Sequence, residues 1–186
     1  DVAAIGNAIV DVIAPSSESF ITDQDLPKGG MTLIDDARAD EIYDAMAPGA
    51  ETSGGSAANT IAGVASFGGR AAFIGKVADD QLGKVFGHDI RALGAHFDTP
   101  PLKTGAATAR CLINVTPDGE RTMATFLGAC LELTERDIDE ALVERAKITY
   151  LEGYLWDPPH AKLAVLKADE AAHRAGTGGG PRGGGA

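Results

Sequence analysis

Cysteine, positive charge and long apolar runs are what this chain has least of. Only Cys111 and Cys130 occur, and they form no CxxC pair. Two thiols cannot build a disulfide framework, so both read as reduced, packed side chains of a cytoplasmic protein. Lys and Arg number 16 against 27 Asp and Glu, a net charge of −11. A surface for phosphate backbones needs clustered cations, so this balance argues against a nucleic-acid partner. A nucleotide would have to be held by local dipoles and a few cations rather than by the overall field. No stretch approaches the roughly 18 apolar residues of a membrane span, and no basic-then-apolar leader opens the chain. Asp1 stands first in place of Met, so a few leading residues are expected to precede it. The four histidines show no metal-ligand spacing and HExxH is missing, so all four read as structural or exposed. No GxGxxG joins a strand to a helix, which counts against a dinucleotide oxidoreductase. The run from Gly69 to Lys76 misses a phosphate loop: its glycine spacing is one residue too long, and Val77 stands where Ser or Thr is needed.

What is present is the composition of a folded α/β chain. With 186 residues and 44% hydrophobic content, one domain or part of a larger one has enough apolar mass for a core. Short apolar or alternating runs predict strands over 2–5, 9–14, 31–34, 71–74, 107–115, 120–126 and 148–151. Helical spacing predicts helices over 18–23, from Asp35 or Asp36 to 46, between Ser56 and Gly68, over 81–93, over 134–146 and from Pro158 to 175. Ile42, Tyr43 and Met46 make one buried stripe, and Phe86, Ile90 and Leu93 another. Asp79 and Asp80 read as helix capping, since a hard cation needs more oxygens than these two. The alternation of strands and helices predicts a three-layer αβα domain with a mainly parallel sheet.

Residues 54–83, GGSAANTIAGVASFGGRAAFIGKVADDQLG, organise the rest. Gly54 and Gly55 let backbone hinge and approach a ligand closely. Ser56 is a candidate cap for the following helix. Asn59 falls in the first turn, where its amide can both donate to and accept from a sugar hydroxyl. The bland alternative is a plain strand–helix unit whose glycines only punctuate turns. Asp11 lies between Val10 and Val12 in a strand pattern, so a simple solvated loop does not describe it. A carboxylate there can accept two hydrogen bonds at once, which matches a vicinal diol.

Taken as a string, this stretch resembles the first signature of the ribokinase-like (PfkB) carbohydrate and nucleoside kinases. That signature has a Gly pair, an Asn a few residues on, a small-residue helix, a GG…IGxVxDDxxG continuation and a closing Gly. "GNAIVD", "TGAATARCLINVTPDGERTMATFLGAC" and "YLEGYLWDPP" resemble further segments of the family. The spacing from Asn7 to Asp11 is closest to the adenosine-kinase branch. The resemblance covers residues 1 to about 175, the first half of such kinases. It implies a ribokinase-like fold in which strands near 9–14, 31–34 and parts of 107–126 form a small lid sheet. It also implies that Asp11, Asn7 and Asn59 bind substrate, that Gly54 and Gly55 hinge or line the site, and that Met31 is a candidate lid residue. Arg110 and Arg121 are candidate phosphate ligands, although strand charges more often face solvent. ATP and Mg²⁺ are implied with their main site elsewhere, because the DTxGAGD-like motif that carries the catalytic Asp belongs to the second half of such kinases. No catalytic residue is therefore assigned here.

Two functional readings follow. In one, the chain is the substrate-binding half of an ATP-dependent kinase acting on a primary hydroxyl of a sugar or nucleoside. Adenosine comes first, with ribose, fructose, inosine and guanosine open. In the other, it is a non-catalytic fragment that binds a sugar or nucleoside, or dimerises through the lid. The glycine-rich segment 176–186 cannot bury enough surface to fold, and reads as a frame-shifted, truncated or added tail. A core sheet stopped at this point would keep an unpaired edge. The isolated chain is accordingly expected to be poorly soluble or oligomeric. Size-exclusion chromatography with light scattering checks this, and a clean monomer would contradict it.

Overall fold

The computed structural model describes residues 1–156 and 159–176. Two sheets are built from nine strands among these residues. The first is parallel throughout and contains β1 (Val2–Ile5), β5 (Ala71–Ile74), β6 (Ala95–His96) and β9 (Ile148–Leu151), in the order β6-β5-β1-β9. The second is mixed and contains β2 (Ile9–Pro15), β3 (Met31–Leu33), β4 (Ala50–Gly54), β7 (Ala109–Val115) and β8 (Arg121–Phe126), in the order β3-β8-β7-β2-β4. Strands β7 and β8 form the expected antiparallel hairpin, with β2 parallel to β7 on its other side.

Helices cover both faces of the parallel sheet. On one side lie α3 (Ser56–Ser66) and α4 (Gln81–Ala92), which pack Ile61, Phe86 and Ile90 against Ala4 and Phe73. On the other lie α5 (Glu140–Arg145) and α6 (Pro159–Arg174), which pack Val143, Ala164 and Ala168 against Ile5 and Ile74. This is the three-layer αβα arrangement, and the all-apolar run of β5 is what burial on both faces requires. The mixed sheet is covered on one face only. Val10, Val12, Leu112 and Ala124 share a core with Ile21 of α1 (Glu18–Asp23), Ala39 and Ile42 of α2 (Asp36–Ala45), and Phe86 of α4. Rows such as Ile13–Ile113–Met123–Met31 lie on its open face, where Ile13, Met31 and Leu33 are exposed. Among the described residues no helix is long and apolar enough to cross a membrane.

Several expectations need correction. Strand β4 was not foreseen, because Ala-Glu-Thr-Ser-Gly lacks an apolar face; it is an edge strand, where such composition is usual. Thr134 and Asp137 do form a capping box, but it closes a single 3₁₀ turn, Glu135–Asp137, and Asp139 caps the separate helix α5. The other oxygen of Asp137 pairs with the buried Lys76 ammonium at 2.6 Å and anchors the turn to the end of β5. Leu93 and Tyr43 face solvent rather than the core, at 46% and 41% exposure. Strand β9 is not buried: it lies at one side of the parallel sheet, with Ile148 59% exposed. The start of α6 expected at Pro158, and the segment expected to be a non-native tail beyond Gly176, lie outside the described residues.

Phe73, Phe86 and Phe97 meet with ring centroids 5.3 to 5.9 Å apart and form the pillar between β5 and α4. Phe86 is fully buried. Phe86→Ala is expected to destabilise the fold by about 3–5 kcal/mol through lost burial and a residual cavity. Chemical denaturation monitored by circular dichroism measures this.

Candidate functional site

The site forms where the two sheets meet, at the carboxyl ends of β1 and β9. Ligands of open α/β sheets bind beyond strand ends of this kind. After β1 the chain turns through Gly6 and Asn7 and enters β2 in the mixed sheet. Asn7 is 3% exposed, and its backbone N–H donates to Glu152 Oε2 at 2.9 Å. Glu152 follows β9 directly and is 5% exposed. The side-chain Oδ1 of Asn7 is buried and has no hydrogen-bond partner. Leaving a buried amide oxygen unpaired costs about 1–3 kcal/mol, so it is a place where a donor is missing.

Four residues further on, the Asp11 carboxylate projects from β2 on the open face of the mixed sheet. Its row runs Thr52–Asp11–Cys111–Thr125–Leu33 across all five strands. Gly54 lies diagonally across on β4, and a Cβ there would overlap the Asp11 carboxyl group. Gly55 then takes φ +95°, a conformation suited to glycine, and a Cβ there would strike the Asn7 carbonyl oxygen. Gly55 is therefore required by its backbone conformation and the Asn7 carbonyl, while Gly54 leaves room for the Asp11 carboxyl group where it stands. They turn the chain from β4 into α3, whose N-cap is Gly55 itself. Ser56 is the first helical residue and makes no capping bond, contrary to expectation. Asn59 donates its backbone N–H to Gly55 O, and its side chain is exposed in the first turn. The structure thus brings Asp11 to Gly54 and Asn7 to Gly55, with Asn59 one helical turn away.

Burial raises the Asp11 pKa above the usual carboxylate value, and the positive charge of Arg121 draws it part of the way back. Next to it Cys111 is buried, accepts a hydrogen bond from Thr125 Oγ1 at 3.2 Å, and has its thiol pKa pushed up to about 11 by that burial. Cys111 and Cys130 are both free and buried, as anticipated. Arg121 is exposed at the start of β8, on the Asp11 side of the sheet. Arg110 differs from the expectation of a solvent-facing charge. It is 9% exposed on the covered face, and its guanidinium reaches Asp40 at 2.6 Å and Asp36 at 3.0 Å. It is spent on tying α2 to β7. Met31 is 54% exposed on the open face.

The missed site residue is Glu152. Its only signal was an acidic residue at the end of an apolar strand, inside the string YLEGYLW. Two clefts lie elsewhere. One of about 260 Å³ runs between α4 and the segment from Phe97 to Pro101, and one of about 420 Å³ lies at the amino ends of β1 and β5. Neither is lined by Asp11. Among the described residues no three His, Cys, Asp or Glu side chains converge as a metal site would need.

Because its folded pKa is raised, Asp11 keeps its proton to higher pH in the native chain than in the unfolded one. Its ionisation therefore removes stability as pH rises from the unfolded to the folded pKa. Asp11→Asn is expected to raise the melting temperature at neutral pH and to leave it unchanged well below the unfolded pKa. Thermal unfolding across pH 3 to 8 measures the difference.

The family model for "pfkB family carbohydrate kinase" matches residues 1–179. Adenosine kinase from Sinorhizobium meliloti is 57% identical, with a TM-score of 0.87 over 95% of this chain and 54% of that one. A probable sugar kinase from Rhizobium etli is 53% identical, with a TM-score of 0.87 over 95% of this chain and 53% of that one. Among curated relatives, fructokinase-2 of Solanum habrochaites is 31% identical over 71% of this chain and 41% of its own length. The chain thus spans about half the length of these two solved relatives and less of the fructokinase. The glycine pair, the half-buried carboxylate it accommodates and the two-sheet architecture are in keeping with these matches: the chain belongs to the pfkB family of carbohydrate kinases.

Proposed function

We propose that this chain is the acceptor-binding half of an ATP-dependent kinase that phosphorylates a primary hydroxyl of a sugar or nucleoside, with adenosine as the first candidate. The observation that carries the reading is the contact of the Asp11 carboxylate with Gly54, beside Asn7 and Gly55. A carboxylate on an open face, with no side chain on residue 54 to cover it, is placed to accept from two neighbouring hydroxyls. The unpaired Asn7 Oδ1 gives a third acceptor, and the exposed Asn59 amide both donates and accepts. Adenosine is favoured over ribose and fructose by the 57% identity to the Sinorhizobium meliloti adenosine kinase.

ATP with Mg²⁺ is the phosphoryl donor in this reading. The residues described above supply the acceptor end of the reaction: they hold and orient the hydroxylated substrate. Such positioning accounts for a large part of phosphoryl-transfer catalysis. A homodimer through the lid belongs to the same reading, since Ile13, Met31 and Leu33 are exposed on the open face of the mixed sheet.

Isothermal titration of the chain with adenosine, ribose and fructose tests the proposal, alongside a coupled ATP-turnover assay. Adenosine is expected to bind, and Asp11→Asn and Gly54→Ala are each expected to weaken it about tenfold or more, the worth of a charged hydrogen bond. No binding of any of the three ligands would overturn the reading. Binding with flat turnover would favour the binding-only role for this chain, and turnover above background would exclude it.

A further inference from the structure

Helix α4 grips the mixed sheet at two points, and both grips are carboxylates. At its N-cap, Asp80 accepts from Gly83 N at 2.7 Å, Thr108 N at 2.8 Å and Thr108 Oγ1 at 2.7 Å. Thr108 is fully buried and leads directly into β7. Nine residues along, Asp89 Oδ2 accepts from Ser53 N at 2.6 Å and Thr52 Oγ1 at 2.9 Å. Both donors belong to β4. Strands β7 and β4 are the two neighbours of β2, which carries Asp11. One rigid helix therefore holds both strands that flank the Asp11 strand. The same helix is fixed to the parallel sheet through Phe86 and Ile90.

The two grips differ in what they hold. The Asp80 grip closes on a fully buried residue. The Asp89 grip closes on an edge strand, whose outward N–H groups have no neighbouring strand to accept them. Ser53 immediately precedes Gly54, the residue in contact with the Asp11 carboxyl group. Burial alone would raise the Asp89 pKa, but the bonds from Ser53 and Thr52 outweigh it and hold the group ionised below the usual carboxylate range.

We infer that Asp89 is a positioning residue for the acceptor substrate: it fixes β4, and through β4 it holds the Gly54 backbone against the Asp11 carboxylate before any ligand arrives. The substrate part of this inference rests on the function proposed above. The positioning part does not, because it concerns the geometry of the unliganded chain.

The experiment compares wild type, Asp89→Ala and Asp89→Asn. The Asp11 carboxyl is titrated by NMR in ¹³C-labelled protein, Ser53 amide exchange is followed in the same samples, and adenosine affinity is measured by calorimetry. Asp89→Ala is expected to lower the Asp11 midpoint toward that of a free Asp, to speed Ser53 exchange, and to weaken adenosine about tenfold. Asp89→Asn keeps an acceptor oxygen in place and is expected to retain most of the wild-type midpoint. Equal midpoint shifts in the two variants would mean that charge, not position, is responsible, and would overturn the inference. So would a folded Asp89→Ala chain with Asp11 titration unchanged, since a mere structural staple lowers the melting temperature without moving a carboxyl on another strand. If Asp89→Ala does not fold, Asp89→Asn decides the matter: fast Ser53 exchange with an unmoved Asp11 midpoint overturns it, and slow exchange with wild-type affinity supports it. Should the wild type bind no adenosine, the proposed function fails, while the titration and the exchange rates still decide whether Asp89 positions Gly54.

Discussion

The Asp11 carboxylate occupies the space in which a side chain on residue 54 would lie, and much of the structure follows from that contact. A side chain at residue 54 would push the Asp11 carboxylate out of this position, so glycine there is what lets it stay. The chain must then leave β4 without touching the Asn7 carbonyl, which places a second glycine at 55 with φ +95°. The first turn of α3 consequently starts from a residue with no side chain, and its orphan amides receive no side-chain cap. Glycine at the N-cap costs only about a few tenths of a kcal/mol relative to Ser or Asp. It is tolerated because Ala57, Ala58 and Ile61 are buried against the core, and tertiary packing rather than propensity carries most helices of this length.

The two sheets have different tasks, and their burial reflects it. The parallel sheet is covered on both faces and presents its carboxyl ends, where Asn7 and Glu152 meet at 2.9 Å. The mixed sheet is covered on one face and open on the other, so its strands alternate between core residues and residues available to a ligand. Helix α4 joins them. Its apolar side enters the core beneath β5, while Asp80 and Asp89 hold the entry to β7 and the edge of β4. The two sheets are therefore held to one another by a helix as well as by the short β1–β2 connection that carries Asn7. That is the kind of support a binding geometry needs if its parts are to stay in register.

Much of this was legible in the sequence, for identifiable reasons. The strands β1, β2, β5 and the β7–β8 hairpin carry strong apolar or alternating patterns, and helices α1, α2 and α4 begin at side chains that do cap them. The pairing of Asp11 with the Gly54–Gly55 stretch came from family resemblance, and the contact gives it a physical cause. What was not legible depends on tertiary neighbours. Strand β4 has the polar composition of an edge, which no periodicity reveals. Arg110 looks like any strand cation until α2 supplies Asp36 and Asp40. Glu152 looks like a surface acid until Asn7 arrives from 145 residues away to donate to it. Thr134 and Asp137 satisfy the local rule for a helix start, but their box closes a 3₁₀ turn tied to the buried Lys76, and the helix begins later at its own cap, Asp139.

The cost of the arrangement falls on Asp11. A carboxylate whose pKa is raised by burial is in a place that disfavours its charge, and the nearby Arg121 offsets only part of that penalty. For the fold alone, a neutral side chain would serve better. A partly desolvated carboxylate that can accept two hydroxyl donors gains more from a ligand than one already satisfied by the protein would. The same holds for Asn7 Oδ1, which is buried and unpaired. The half-buried Asp11 carboxylate lies against Gly54, and the Asn7 backbone carbonyl lies against Gly55. In the function proposed above, these groups are held for the hydroxyls of the acceptor substrate, at the expense of stability in the chain alone.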